Sequence, residues 1–297
     1  MSNRKQIALI GFGEAATAFV EGWAGRPEAD FATFDIKVKS KKTKSALLNR
    51  CQALTVVCEA SNAEAVVGKD AIFSFVTADQ SLAAAKETAN SIERGVFFFD
   101  CNSCSPGTKS KAAELITKAG GRYVDVAVMA PVYPAMHKTS ASICGPHAQA
   151  AFDYMTRLDM DPTVIEGDVG VASSTKMVRS IMMKGLEALM MECVLAGRQA
   201  GVDGAVLNSL EKTYPGFGWK DKAAYMAERV MVHGKRRAAE MREVAITVEE
   251  LGLQGRMASA TVDWHQEIGD LELDPGEDEY ESRIDSLLAA LNGPKKG

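Results

Sequence analysis

Gln6-Ile7-Ala8-Leu9-Ile10-Gly11-Phe12-Gly13-Glu14-Ala15-Ala16 decides how the chain folds. The run from Gln6 to Ile10 has the length and apolar character of a buried strand. After it, Ala15 to Trp23 carries apolar residues at helical spacing. Between them lies a Gly-x-Gly-x-x-Ala turn. Gly11 permits the tight turn, Gly13 lets the backbone approach a pyrophosphate, and Ala16 keeps the helix close to the strand. The start of the helix offers N–H donors and the positive end of its dipole to phosphate. Gly11, Phe12, Gly13, Glu14 and Ala15 are therefore the expected phosphate-side residues. Asp35 ends the next expected strand, 31–35, where a carboxylate accepts from a ribose 2′-hydroxyl. The expected cofactor is NAD or NADP, with Asp35 favouring NAD. Lys37, Lys39, Lys41 and Lys42 follow it and could hold a 2′-phosphate, although a solvated loop explains them more simply.

Working outward, further strands are expected at 71–76, 95–99, 122–128 and 140–144. Helical patterns at 81–92 and 106–119 alternate with them. Strands and helices in alternation predict a parallel, doubly wound sheet. The strand runs are apolar throughout, as when helices cover both faces. Beyond residue 168 only helical patterns remain, at 174–201, 220–233, 236–251, 257–268 and 280–291, and the tail 293–297 reads as frayed. The predicted fold class is α/β, a Rossmann domain over 1–167 followed by an all-α domain over 168–297. The helical half carries more apolar face than it can bury alone, which predicts a homodimer packed through it.

Composition narrows the function. The 297 residues are 46% hydrophobic and 25% charged, with a net charge of −5. That gives no basic face for nucleic acid. No apolar run approaches the roughly 20 residues a membrane helix needs. The first five residues lack a signal-peptide layout, so the cytoplasm is the expected compartment. The six cysteines show no disulfide framework. Cys101 and Cys104 form a Cys-x-x-Cys, but no second ligand pair accompanies it and no metal is expected.

Four stretches carry a family resemblance. They are Ile10-Gly11-Phe12-Gly13; Asp100-Cys101-Asn102-Ser103-Cys104-Ser105-Pro106, which is similar to an Asp-x-Ser-Thr-x-x-Pro loop; Asp125-Val126-Ala127-Val128-Met129-Ala130-Pro131; and Lys176. Together they resemble the β-hydroxyacid dehydrogenases, the group of 3-hydroxyisobutyrate and 6-phosphogluconate dehydrogenases. The second half is similar to a bacterial branch of that group. The resemblance implies a nicotinamide-dependent oxidoreductase acting on a small hydroxyacid, with Lys176 as general acid/base. It implies that Asn102 and Ser103 lie beside the nicotinamide, and that Met129 and Ala130 sit at the substrate, with Arg237 as a further cation there. Two departures stand out. Met129-Ala130-Pro131 replaces the family's Ser-Gly-Gly, and Pro131 has no N–H to offer a carboxylate. Ser180 stands where the family has asparagine.

At about 100° per residue, a helix places Lys176, Arg179, Ser180 and Lys184 on one face. Val178, Met182, Leu186 and Leu189 fall opposite. Such a cationic face on a buried helix needs an anion, and a substrate carboxylate would serve. Neighbouring cations would depress the lysine, suiting it to proton transfer. Arg179 could grip a carboxylate bidentately, and Ser180 could hold the reacting oxygen. For Lys184 an ordinary acidic partner is the expectation. Thr77, after a strand end, would touch the adenosine side. Tyr133 would shape the pocket, and the aromatic stretch 214–219 would cap it or simply pack. The alternatives are an imine reductase of the same fold and a non-catalytic dinucleotide-binding sensor.

Overall fold

The computed structural model describes residues 4–24 and 29–293, so the expected frayed tail from 294 lies outside the described residues. The chain divides into two compact units, Met1–Met177 and Val178–Gly297. The expected division after 167 falls just before the helix in which the units meet.

The first unit is built on eight strands: β1 (Lys5–Ile10), β2 (Ala29–Phe34), β3 (Val56–Cys58), β4 (Ala71–Ser74), β5 (Phe97–Asp100), β6 (Arg122–Val128), β7 (Ala141–Cys144) and β8 (Pro162–Val164). Their order is β3-β2-β1-β4-β5-β6-β7-β8. Alternate residues of each strand face opposite sides. Ile7, Leu9, Phe73 and Phe99 enter one core, and Ala8, Ile10, Ile72 and Phe98 the other. Helices α1 (Glu14–Trp23) and α6 (Ala148–Arg157) contribute to the first core. Helices α3 (Asn62–Val66), α4 (Ser81–Ala89) and α5 (Pro106–Lys118) contribute to the second, and α2 (Lys44–Ala53) lies between β2 and β3 in the chain. Trp23 fastens α1 by stacking on Phe31 and donating from Nε1 to Leu158 O at 2.9 Å.

One strand runs against expectation. β7 pairs antiparallel with β6, whereas the other neighbouring pairs are parallel. A parallel return needs a long crossover. The connection after β6 holds only a one-turn 3₁₀ segment, Met136–Lys138, so the chain doubles back.

The second unit is helical. α7 (Val171–Gln199) starts in the first unit and continues into this one. α8 (Asp203–Thr213), α9 (Trp219–Glu250), α10 (Arg256–Asp270) and α11 (Tyr280–Leu291) follow. Met191, Val194, Ala227, Val230, Ile268 and Ile284 form its core. The two helices expected at 220–233 and 236–251 are one helix of 32 residues. Gly234 does not break it, because this glycine serves a close crossing. A Cβ there would lie 2.4 Å from His265 O and 2.7 Å from Gly269 Cα on α10. The apolar side expected to bury α7 is largely open in the single chain, with Val178 48%, Met182 70% and Leu189 57% exposed.

Candidate active site

The glycine turn joins β1 to α1 where strand order reverses between β1 and β4, the switch point at which such sheets bind ligands. Gly11 has φ +84°, and a Cβ on it would sit 2.7 Å from Phe75 O. Its N–H donates to Phe34 O at 2.8 Å. The Phe12 side chain is fully buried in the core, so this residue offers a ligand only backbone. That backbone is already engaged: its N–H donates to Asp35 Oδ2 at 2.8 Å and its carbonyl accepts from Arg50 Nη1 at 2.8 Å. Asp35 Oδ1 accepts from the Lys37 N–H at 2.9 Å. Asp35 thus braces the turn, keeping lone pairs for a ribose. Around Gly13 there is open space, with nothing within 4 Å of a Cβ, and no side chain caps α1. Glu14 is exposed and Ala15 half-buried on its first turn. Uncapped N–H groups facing open space fit a dinucleotide pyrophosphate. Exposed Thr77 precedes the 3₁₀ turn after β4. Gln80 first, then Thr77, hold the Asp79 carboxyl below its ordinary range by hydrogen bonding.

The loop after β5 brings three expected residues together. Asn102 is buried, and its Nδ2 donates to Asp100 Oδ1 at 2.8 Å, Ser74 Oγ at 2.9 Å and Ser81 Oγ at 3.2 Å. Its Oδ1 is buried with no donor, an acceptor suited to a carboxamide N–H. Ser103 comes next, half-buried, and Lys176 Nζ donates to its Oγ at 2.7 Å. Ser105 caps α5 by accepting from Thr108 N at 3.2 Å, with Pro106 in the first turn, and so fixes where the loop ends.

Beneath this loop lies a group the sequence reading did not anticipate. Lys109 on α5 is completely buried. Its Nζ donates to Asp100 O at 2.6 Å and Asp100 Oδ1 at 3.0 Å, and it forms an ion pair with Asp125 Oδ1 at 3.3 Å. Burial works to lower this lysine, but the Asp100 and Asp125 carboxylates outweigh it and raise it. Asp125 also accepts from Ser173 Oγ at 2.6 Å, Ser173 N at 3.2 Å and Gly170 N at 3.1 Å. Burial pushes its carboxyl up, and Lys109 with the Ser173 hydrogen bonds more than reverses that, holding it below its ordinary value. Tyr123 Oη donates to Asp100 Oδ2 at 2.7 Å; burial, then Asp100, push the phenol well up. The available signal was Lys109 itself, which shares the apolar stripe of α5 with Ala112 and Ile116.

Cys101 and Cys104 are both buried and neither is in a disulfide. Burial raises the Cys101 thiol against the pull of Lys109. Among the described residues no group of three or more His, Cys, Asp or Glu side chains is placed to hold a metal ion, and no helix is long and apolar enough to cross a membrane.

The 3-hydroxyisobutyrate dehydrogenase of Mycobacterium tuberculosis shares this fold at a TM-score of 0.70 over 96% of this chain and 99% of that one, with 14% identity. The conserved protein MTH1747, described as structurally similar to 3-hydroxyacid dehydrogenases, is 26% identical over 89% of this chain and 97% of its own, with a TM-score of 0.67. A conserved hypothetical protein from Sinorhizobium meliloti is 34% identical over 96% of both chains, with a TM-score of 0.76. Residues 198–268 match a domain of unknown function, DUF1932. The chain belongs to one family with the Sinorhizobium meliloti protein, and its fold is that of the 3-hydroxyisobutyrate dehydrogenases. An imine reductase of Streptomyces aurantiacus and a reductive aminase of Aspergillus terreus share that fold.

The family's Ser-Gly-Gly loop is replaced here by Met129, half-buried, then Ala130 and Pro131, both exposed. Met129 N donates to Ser140 O at 2.9 Å, so that N–H is spent within the loop. Further on, the Tyr133 hydroxyl donates to Glu21 Oε2 at 2.6 Å. Trp219 buries an unpartnered Nε1 and its ring packs on Phe217 at 4.4 Å; the 214–219 stretch is a packed aromatic loop in the helical unit. In that unit Arg179 is exposed and Ser180 is buried, its Oγ accepting from Lys184 Nζ at 3.2 Å. Lys184 faces Glu240 at 3.0 Å, the expected acidic partner, so its charge is matched inside the unit. Arg237 is paired with Glu187, which also accepts from His265 Nε2 at 3.1 Å.

Proposed function

We propose that this chain is an NAD(P)-dependent oxidoreductase that transfers a hydride between nicotinamide and the hydroxyl-bearing carbon of a small hydroxyacid. The observation that carries this reading is the Lys176–Ser103 hydrogen bond at 2.7 Å, in the same unit as the glycine turn and next to the unpartnered Asn102 Oδ1. A substrate hydroxyl can take the place of Ser103 as the partner of Lys176 Nζ. Oxidation needs a base for the hydroxyl proton and reduction needs an acid for the developing alkoxide; Lys176 Nζ holds or releases that proton. The nicotinamide, when bound, supplies or accepts the hydride. On this reading Gly11 and Phe12 shape the turn, their N–H groups engaged by Phe34 and Asp35, and Gly13, Glu14 and Ala15 hold the pyrophosphate with the first N–H groups of α1. Asp35 takes the ribose and favours NAD, Thr77 borders the adenosine, and Asn102 Oδ1 accepts from the carboxamide. Ser103, Met129 and Ala130 line the substrate. Arg179 is the exposed guanidinium available to a carboxylate, with Ser180 on the same helix, whereas Arg237 is committed to Glu187. The open apolar residues Val178, Met182 and Leu189 support a homodimer packed through the helical unit, acting in the cytoplasm.

A panel of hydroxyacids and imines, offered with NAD and NADP to wild type and Lys176→Ala, tests the proposal. The expected result is hydroxyacid turnover that falls by about 10³ in the variant while dinucleotide affinity is kept. Imine turnover insensitive to the substitution would make the chain an imine reductase. Dinucleotide binding with no turnover of either class would make it a sensor.

A further inference from the structure

We propose that Lys109 is a positioning residue: its buried ammonium ties together, through one carboxylate each, the two ends of the Lys176–Ser103 hydrogen bond. On one side, Asp100 accepts from Lys109 and fixes the loop after β5. Its Oδ1 takes both the Asn102 N–H at 3.1 Å and Asn102 Nδ2 at 2.8 Å, one residue before Ser103. On the other side, Asp125 is the ion-pair partner of Lys109 and accepts hydrogen bonds from the start of α7. Gly170 N, Ser173 N and Ser173 Oγ all bind it, and Ser173 stands one turn before Lys176 on the same helix. The ammonium makes two hydrogen bonds to Asp100 on one strand and an ion pair with Asp125 on the adjacent one. Without it, two buried carboxylates would face each other across the β5–β6 pair, and one would take up a proton or move away. Either response loosens Ser103, Lys176 or both. A lysine on the buried stripe of α5 is costly unless it serves such a bridge. The effect on turnover rests on the hydride-transfer reading; the effect on Lys176 itself does not.

The test is the double variant Lys109→Met with Asp125→Asn, which removes the bridge while keeping the single net negative charge of the group. With lysine labelled at 13Cε, the Lys176 resonance is assigned from Lys176→Arg and titrated in the folded protein. Its midpoint should move by about half a pH unit or more as its hydrogen bond to Ser103 is lost. In the same variant kcat should fall by roughly 10- to 100-fold while the dinucleotide dissociation constant stays within about twofold. Ser173→Ala, which leaves the ammonium pair intact and removes one of the three α7-side hydrogen bonds to Asp125, should move both readouts the same way by less. It decides the question if the double variant does not fold. A folded variant with an unmoved Lys176 midpoint overturns the proposal, whatever its melting temperature. A moved midpoint in a protein whose wild type turns over nothing upholds the bridge and removes the hydride-transfer reading.

Discussion

In the sheet unit a buried lysine, Lys109, sits between two carboxylates. In the helical unit a buried carboxylate, Glu187, sits between a guanidinium, Arg237, and an imidazole, His265. The first network runs outward: from Asp100 and Asp125 it ends on backbone N–H groups of a loop and a helix start. The second closes on itself. His265 Nδ1 faces Thr261 O at 2.9 Å within α10, and Glu187 joins α7, α9 and α10. The same chemistry therefore does two jobs. A network that terminates on the backbone of a loop and a helix start orders a site, while one that terminates on its own helices fastens a bundle.

Removing the centre of the closed network should have the largest effect. Glu187→Ala would leave Arg237 and His265 buried without their anion, at a cost of about 3–5 kcal/mol. The expected readout is a melting temperature lower by roughly 10 °C with dinucleotide affinity unchanged. If affinity fell while melting stayed put, the division of labour between the two networks would be reversed.

A smaller effect tests the outward network through pH. Asp125 lies below its ordinary value, so its contribution is present above about pH 4 and is lost as pH falls further, through the folded value. Lys109 is raised, so its contribution is full below about pH 10 and is lost as pH rises through its higher folded value. Ser173→Ala should cost about 1 kcal/mol near neutrality in urea unfolding, and the gap to wild type should narrow below pH 4. A gap constant from pH 3 to 7 would mean that Ser173 does not act through ionised Asp125.

The smallest effect concerns thiols, those of the sheet unit against Cys193 of the helical one. With a disulfide reagent at pH 8, the half-buried Cys58 and Cys193 should react first. Buried Cys101, its thiol pushed up by burial, and buried Cys104 should lag by about 100-fold or more. Fast reaction at Cys101 would reopen redox chemistry for the Cys-x-x-Cys.

The two units also differ in how legible they were. Strand and helix alternation, the glycine turn and Asp35 all follow from local pattern, and the sheet order agrees with them. The short pieces β3, α3 and β8 carry too few residues for a periodic signal, and the ten-residue helices α2 and α6 went unread. In the helical unit α8 went unread. Gly234 suggested a break where there is none, because a glycine used for helix contact looks the same in sequence as one used to end a helix. Ser103 and Lys176 were named from resemblance. Arg50, which supports the glycine turn from α2, gives no sign of that role in the sequence.

The sequence by itself determined the α/β-then-α order and the glycine turn. Each depends on neighbours within a few residues, where period and steric permission act, whereas Lys176 came from the family resemblance. Only the tertiary structure decided that β7 runs antiparallel, that Asp35 braces Phe12 and that Arg237 answers Glu187. It alone showed that Lys109 joins Asp100 to Asp125. Those facts are pairings between groups far apart in the chain, and a buried charge takes its partner from whatever the fold brings near.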